Sequence, residues 1–294
     1  MSTVLQTINE AAAQLEAAGV SFGHGTTNAF DEAAWLVLHA LELPIDDLDS
    51  VQNRPVAGIE SARIATLLIA RIESRKPAAY LTHEAWLQGV PFYVDERVIV
   101  PRSLIAELIA DASFDTWLDE STRQVLDLCT GNGSLAVLAA MAWPDVLVQG
   151  ADISADALDV AKINVAKHRL QSRISLIQSN GLAQCRGING RPYDLIVCNP
   201  PYVNSASMAT LPAEYRAEPT ISLDGGKDGM DFIRPMLQTA PAVMSEEAIL
   251  VLEIGNERAY FEAAFPRLES VWLETSAGED QVLLLTRHTL IRDI

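Results

Sequence analysis

The chain has 294 residues, 49% hydrophobic and 20% charged, the composition of an ordinary globular protein with room for one large domain or two. Acidic residues outnumber basic ones 39 to 21, a formal net charge of −18 at pH 7. A protein that holds a bare phosphate backbone presents a basic face, so stable nucleic-acid binding is not expected, and the acid serves either solubility or a partner that is itself basic.

Residues 1–77 read as a helical bundle. "LQTINEAAAQLEAAG" sets Leu5, Ile8, Ala12 and Leu15 at helical spacing, with Gly19 as the C-cap candidate. Asn28 is the N-cap candidate for a second helix that carries Trp35, Leu38 and Leu41 and stops at Pro44. "GIESARIATLLIARIESRKP" gives a third, ended by Pro77. Over Ala79–Pro101 the period changes, and aromatic and β-branched residues around Gln88–Gly89 predict a β-hairpin and linker within residues 78–101. From 102 to 294 strands and helices alternate: "QVLDLCT", "SLAVLAAMA", "VLVQGADI", "ADALDVAKINVAKH", "ISLIQSN", "YDLIVCN", a helix near Asp231–Met244, "AILVLEIG", then "VWLETS" and "QVLLLTR". That alternation predicts a parallel, doubly wound α/β sheet whose last two strands form an antiparallel hairpin.

No apolar run approaches the roughly 18 residues of a membrane span, and "MSTVLQTINE" has no basic stretch leading into an apolar one, so neither a membrane helix nor a secretory signal is expected. Cys129, Cys185 and Cys198 lack CxxC spacing, which points to a reducing, cytoplasmic setting. Five scattered histidines give no ligand pattern, so no metal is expected.

"LDLCTGNGSLA" (Leu126–Ala136) follows the first sheet strand and opens a helix, where an open α/β fold binds ligands. Gly131-Asn-Gly133-Ser-Leu-Ala136 satisfies G-x-G-x-x-[GA], and Asp152 ends the next strand, 19 residues after Gly133, placed to hold ribose hydroxyls. Read literally this is a dinucleotide fingerprint. Asp127 argues against that reading. A carboxylate at the strand end repels a pyrophosphate resting on a helix N-terminus that carries only about half a positive charge, but attracts a sulfonium and an α-ammonium. S-adenosylmethionine is therefore favoured over NAD.

"CNPPYVN" (Cys198–Asn204) ends another buried strand with two prolines, neither of which donates to a ladder. Asn199 Oδ1 and the Pro200 carbonyl are two acceptors held extended by the proline that follows each. Tyr202 adds a flat face. Pro200, Pro201 and their neighbours thus form a receptor for a planar –NH2 group, and adenine, cytosine and glutamine each present one.

The glycine loop together with NPPY resembles the class I methyltransferases, in their amino-methylating branch. The resemblance implies that Asp127, Cys129, Thr130, Gly131, Asn132 and Gly133 line the methionine moiety, Asp152 holds the ribose with Ile153 beside the adenine, and Ser179–Asn180–Gly181 touch the adenine. Relatives commonly carry Asp and a bulkier residue where this chain has Asn180 and Gly181. "FYVDERVIVPRSLIAELI", "EYRAEPTISLDGGKDGMDF" and "LEIGNE" resemble, more narrowly, the HemK-type protein-glutamine N(5)-methyltransferases. "VPRSLIAEL", in place of an IPRPDTE-like linker, looks like the branch acting on the third protein of the large ribosomal subunit. This implies a basic ribosomal protein as partner. Arg102 and Glu107 in that linker would close the site or form a salt-bridged hinge, and Glu253 would sit near the active end of its strand or pack there. Release-factor glutamine methylation, adenine-N(6) methylation and a non-catalytic ribosome-assembly role stand as rivals. The modified glutamine and the oligomeric state are not legible.

Overall fold

A computed structural model describes residues 2–294. Helices α1 (Val4–Ala17), α2 (Ala29–Ala40), α3 (Leu48–Val51) and α4 (Gly58–Ser74) open the chain, followed by α5 (Ala78–Thr82). Asn28 Oδ1 accepts from Asp31 N (2.9 Å) to cap α2, as the sequence predicts, and Thr3 and Gln6, unflagged by the sequence reading, form a capping box on α1. Val4, Ile8, Leu15, Trp35, Leu38, Leu41, Ile64 and Leu68 fill one core.

The extended reading of Ala79–Thr82 is corrected to helix. Pro77 ends nothing there but precedes α5, and Tyr80 turns inward to donate its hydroxyl to Val98 O (2.5 Å). The hairpin is shorter than expected, with β1 (Ala85–Leu87) and β2 (Val90–Phe92) joined through Gln88 (φ 49°) and Gly89 (φ 72°), both left-handed as a two-residue hairpin turn demands.

After α6 (Ile105–Ala110) the chain runs β3 (Gln124–Leu128), α7 (Ser134–Ala142), β4 (Leu147–Asp152), α8 (Ala155–Lys167), β5 (Ile174–Gln178) and β6 (Tyr193–Cys198). Then follow α9 (Ser205–Thr210), α10 (Ala213–Arg216), α11 (Ile233–Thr239), β7 (Met244–Glu253), α12 (Arg258–Ala264), β8 (Val271–Thr275), β9 (Gly278–Thr286) and α13 (Arg287–Asp293). The helix expected to Met244 ends at Thr239, and a short 3-10 turn over Ala240–Ala242 separates it from a strand that begins at Met244 rather than Ala248. Ser245 Oγ explains the earlier start, because it donates to Asp194 Oδ1 on β6 (2.7 Å).

The seven strands lie in the order β5-β4-β3-β6-β7-β9-β8, with β9 antiparallel to both neighbours. This is the class I methyltransferase fold. Alternating residues feed two apolar layers: Val125, Leu195, Val197, Ile249 and Val251 on one face, Leu126, Leu128, Ile196, Leu250 and Leu252 on the other. From β3 the chain winds out one way to β4 and β5, then returns to place β6 on the other side of β3. The loops after β3 and β6 therefore diverge at the carboxyl edge of the sheet, leaving a crevice at the switch point.

Candidate active site

β3 carries Asp127 and Leu128 to that edge, where Cys129 (φ 63°) and Gly131 (φ 55°) turn the chain into α7. Asp127 is 1% exposed. Its Oδ2 accepts from Thr130 Oγ1 (2.5 Å) and Ala136 N (2.9 Å), while its Oδ1, equally buried, meets no donor. Burial raises its pKa to about 7 against the pull of those two hydrogen bonds. A carboxylate oxygen out of water and unpaired suits a cationic ligand and repels a phosphate. Asp152, at the end of β4, ties the loop down by accepting from Gly131 N (2.9 Å) and Ser154 N (2.9 Å).

The strand β6 ends at Cys198, and the corner that follows is held at three points. Val203 N donates to Leu223 O (2.8 Å) and Gly225 N to Val203 O (2.9 Å). Asn204 Nδ2 donates to Glu257 Oε1 (2.7 Å), and Tyr202 Oη to Glu253 Oε1 (3.2 Å). Both carboxylates of "LEIGNE" therefore grip the NPPY corner. Burial, with Glu253 beside it, pushes the Tyr202 phenol well above its usual range, so it stays a donor. Gly255 must lack a side chain, since a Cβ there would stand 2.5 Å from Tyr202 Cε2.

Two cavities flank this corner. One, about 140 Å³, is lined by Cys129, Gly131, Asp152, Ile153, Asn180, Gly181 and Asn199. The other, about 120 Å³, lies among Arg102, Pro200, Tyr202, Tyr215 and Glu253. Ile99, Asn199 and Ser222 line both, so Asn199 stands where they meet. A larger hollow of about 460 Å³ behind Phe232 contains no acid and no NPPY residue.

Known proteins resemble a chain in which a cavity on a glycine loop meets, at Asn199, a second one at an NPPY corner. A ribosomal protein uL3 glutamine methyltransferase of Bordetella pertussis is 51% identical over 292 residues, 99% of this chain and 97% of that protein. The protein of the same description from Burkholderia pseudomallei is 49% identical, covering 96% of this chain and 94% of its own. The chain belongs to the ribosomal protein uL3 glutamine methyltransferase family. A family model, methyltransferase small domain, matches residues 110–214 of this methyltransferase. The crystal structure of the hMettl16 catalytic domain shares the fold, with a TM-score of 0.52 over 79% of this chain and 82% of that one at 14% identity.

The sequence-selected residues of the methyltransferase fall into two groups. Cys129, Gly131, Asp152, Ile153, Asn180, Gly181, Asn199 and Pro201 line the first cavity. Asp127, Thr130, Asn132 and Gly133 stand behind it, where Asn132 Oδ1 accepts from Ser134 N (3.2 Å) and Gly133 (φ 80°) brings the loop against Ala161. Arg102 lines the second cavity as a bidentate partner of Glu218 (2.6 and 2.7 Å) with its guanidinium 5.3 Å from the Tyr215 ring. Glu107 is not among them. Its carboxylate accepts from Ser276 N and Oγ (3.2 and 3.0 Å) on the β8–β9 turn. Glu253 both packs and lines: it ends β7, accepts from Ser103 Oγ (2.5 Å) and Leu104 N (2.9 Å), and faces the second cavity.

Residues 205–223, unassigned by sequence reasoning, wall the second cavity of the methyltransferase with Leu211, Tyr215, Ser222 and Leu223. Two buried carboxylates anchor them. Glu214 Oε1 meets Arg71 (3.3 Å), Arg75 (2.9 Å) and Ser21 N (3.1 Å). Glu218 meets Arg102 and Val100 N (2.9 Å), with His24 Nε2 at 3.5 Å. Burial alone would raise the Glu218 pKa, yet the nearby His24 ring and the hydrogen bonds from Arg102 hold it at about 2. The only sequence signal for this wall was "EYRAEPTISLDGG", visible through resemblance rather than pattern.

Proposed function

We propose that this methyltransferase moves the methyl group of S-adenosylmethionine to the side-chain amide nitrogen, N(5), of one glutamine in ribosomal protein uL3. The observation that carries the reading is the meeting of two cavities at Asn199, one walled by the glycine loop and Asp152, the other by Pro200 and Tyr202. The residues present fit the cofactor, because no Lys or Arg lines the cavity to meet the phosphate of a dinucleotide, and behind its wall Asp127 keeps one oxygen unpaired for a cationic group. Gly131 would face the methionine end, Asp152 would hold the ribose, and Ile153, Asn180 and Gly181 the base. Bound there, the cofactor supplies an electrophilic methyl carbon on sulfur.

An amide nitrogen is a weak nucleophile because its lone pair is delocalised into the carbonyl. Asn199 Oδ1 and the Pro200 carbonyl accept from its two N–H groups, and Tyr202 covers its plane. Among the described residues no backbone hydrogen bond outside the strand ladders takes the Pro200 carbonyl, which supports its being free for the substrate. Two hydrogen bonds at about 1–1.5 kcal/mol each supply tenfold to a few hundredfold in rate when realised in the transition state. Alignment of donor and acceptor supplies roughly 7–11 kcal/mol, so the corner works chiefly by positioning. No base is needed beforehand, since the N-methylated product sheds its proton to solvent.

We read residues 1–77 as the recognition bundle, 78–101 as the linker and 102–294 as the catalytic domain. The names of the relatives, together with the charge of −18, support a basic ribosomal protein over DNA. Such a substrate and three free cysteines support action in the cytoplasm, and no helix among the described residues is long and apolar enough to cross a membrane. Incubation with methyl-labelled cofactor and separately purified uL3, release factor and DNA tests this. Label mapped by mass spectrometry to a single uL3 glutamine is expected, and label on release factor or DNA alone would overturn the substrate.

A further inference from the structure

A second hollow, about 400 Å³, lies away from the two cavities at the NPPY corner, between α2, the start of α3 and strand β1 of the hairpin. Its floor is apolar: Phe30, Trp35, Leu38, Ile45, Leu48 and Trp86. Phe30 and Trp86 are 38% and 40% exposed, large apolar groups left in water on two different elements facing one groove. The Trp86 ring is held there by its Nε1, which donates to Glu84 Oε1 (2.9 Å).

The rim is of one sign. Asp31 lines the groove, and exposed Asp46, Asp47 and Asp49 flank Ile45 and Leu48. From Met1 to Asn53 the chain has no Lys or Arg at all, against Glu10, Glu16, Asp31, Glu32, Glu42, Asp46, Asp47 and Asp49. Among the described residues none of Asp31, Asp46, Asp47 and Asp49 has a basic partner within salt-bridge distance, whereas Glu32 is consumed by buried Arg71 (2.7 Å). An apolar slot inside an unneutralised acidic rim complements a cationic polypeptide that carries an apolar anchor.

The groove also adjoins the amide cavity. Gly25, in its wall, follows His24, whose ring lies 4.3 Å from that of Tyr215, a wall of the amide cavity. His24 and Gly25 thus connect the wall of the groove to that of the amide cavity.

We infer that this groove is a docking site for a basic, apolar-anchored segment of the protein substrate, distinct from the segment that bears the glutamine. The inference rests on the proposed methylation of uL3. It is tested with Trp86→Ala and with the double variant Asp31→Lys/Asp46→Lys, whose positions lie on the surface, using purified uL3 as methyl acceptor. Each variant is expected to raise KM for uL3 at least tenfold with kcat within twofold of wild type. The double variant should also lose most of the salt dependence of KM. Should Trp86→Ala prove unstable, the double variant decides. Unchanged KM in variants of an enzyme that methylates uL3 overturns the groove alone. Wild-type KM with an altered oligomeric state by light scattering assigns the groove to a second copy and also overturns it. A wild-type enzyme that leaves uL3 unlabelled overturns the substrate instead, and the docking segment with it.

Discussion

Asp127→Asn should stabilise the ligand-free protein while disabling it. The native carboxyl titrates at about 7, against an ordinary 3.8, because it is buried. A group raised in the folded state contributes stability that is whole below 3.8 and is lost as pH climbs through about 7. At about 1.36 kcal/mol per pKa unit the full loss is of order 4 kcal/mol, and at 1% exposure solvent screening does not reduce it. An amide at this position can keep the bonds from Thr130 and Ala136 through its oxygen, but its –NH2 then occupies the place of the unpaired Oδ1. An unsatisfied donor there costs about 1–3 kcal/mol. The net gain at pH 8 is therefore about 1–3 kcal/mol, a rise of several degrees in Tm at most. At pH 5 the folded carboxyl is protonated while the unfolded one is ionised, so only about 2 kcal/mol of the loss has been incurred and the gain shrinks to about zero. Differential scanning calorimetry at both pH values measures this, and titration calorimetry measures the cofactor. Its affinity should fall tenfold or more, since a charge-assisted hydrogen bond of about 1.5–3 kcal/mol is lost. A variant less stable than wild type at pH 8, or one that binds S-adenosylmethionine as well, would refute the reasoning.

Asn199→Ala should lower kcat at least about a hundredfold, because alignment is lost with the acceptor; Tm should hold, and a near-normal kcat in the methyl-transfer assay would contradict the clamp. Gly255→Ala drives a methyl group into Tyr202; kcat should fall at least tenfold with cofactor affinity retained, as single-turnover and binding measurements would show. Arg71→Ala leaves buried Glu32 without a cation and Glu214 with Arg75 alone. The cost should be about 3–5 kcal/mol at pH 8 and smaller at pH 5, where protonation relieves it, as urea unfolding at the two values would report; a loss equal at both would point to packing instead.

What the sequence disclosed was local chemistry. The glycine loop, Asp152 and NPPY act through residues a few positions apart at strand ends, and strand–helix alternation was enough to place them at one edge. What it hid was the wall of the amide cavity. Ser103 and Glu253 are 150 positions apart, Arg71 and Glu214 143, and Arg102 and Glu218 116, so no periodicity announces them as partners. Glu214 and Glu218, read alone, look like solvated surface. Ala79–Thr82 misled for the same reason, since its aromatic, β-branched composition suits a strand until Tyr80 finds Val98 O. Glu107 misled in the opposite sense, because linker proximity in sequence put it near a cleft from which α6 directs it toward Ser276.

A crystal structure of the enzyme with S-adenosylhomocysteine and a glutamine-bearing uL3 peptide would test the central claim most directly. The account predicts the sulfur in the cavity beside Gly131, and the glutamine amide nitrogen hydrogen-bonded to both Asn199 Oδ1 and the Pro200 carbonyl with its free face toward that sulfur. An amide bound elsewhere, or Asn199 turned away from the cofactor, would contradict it.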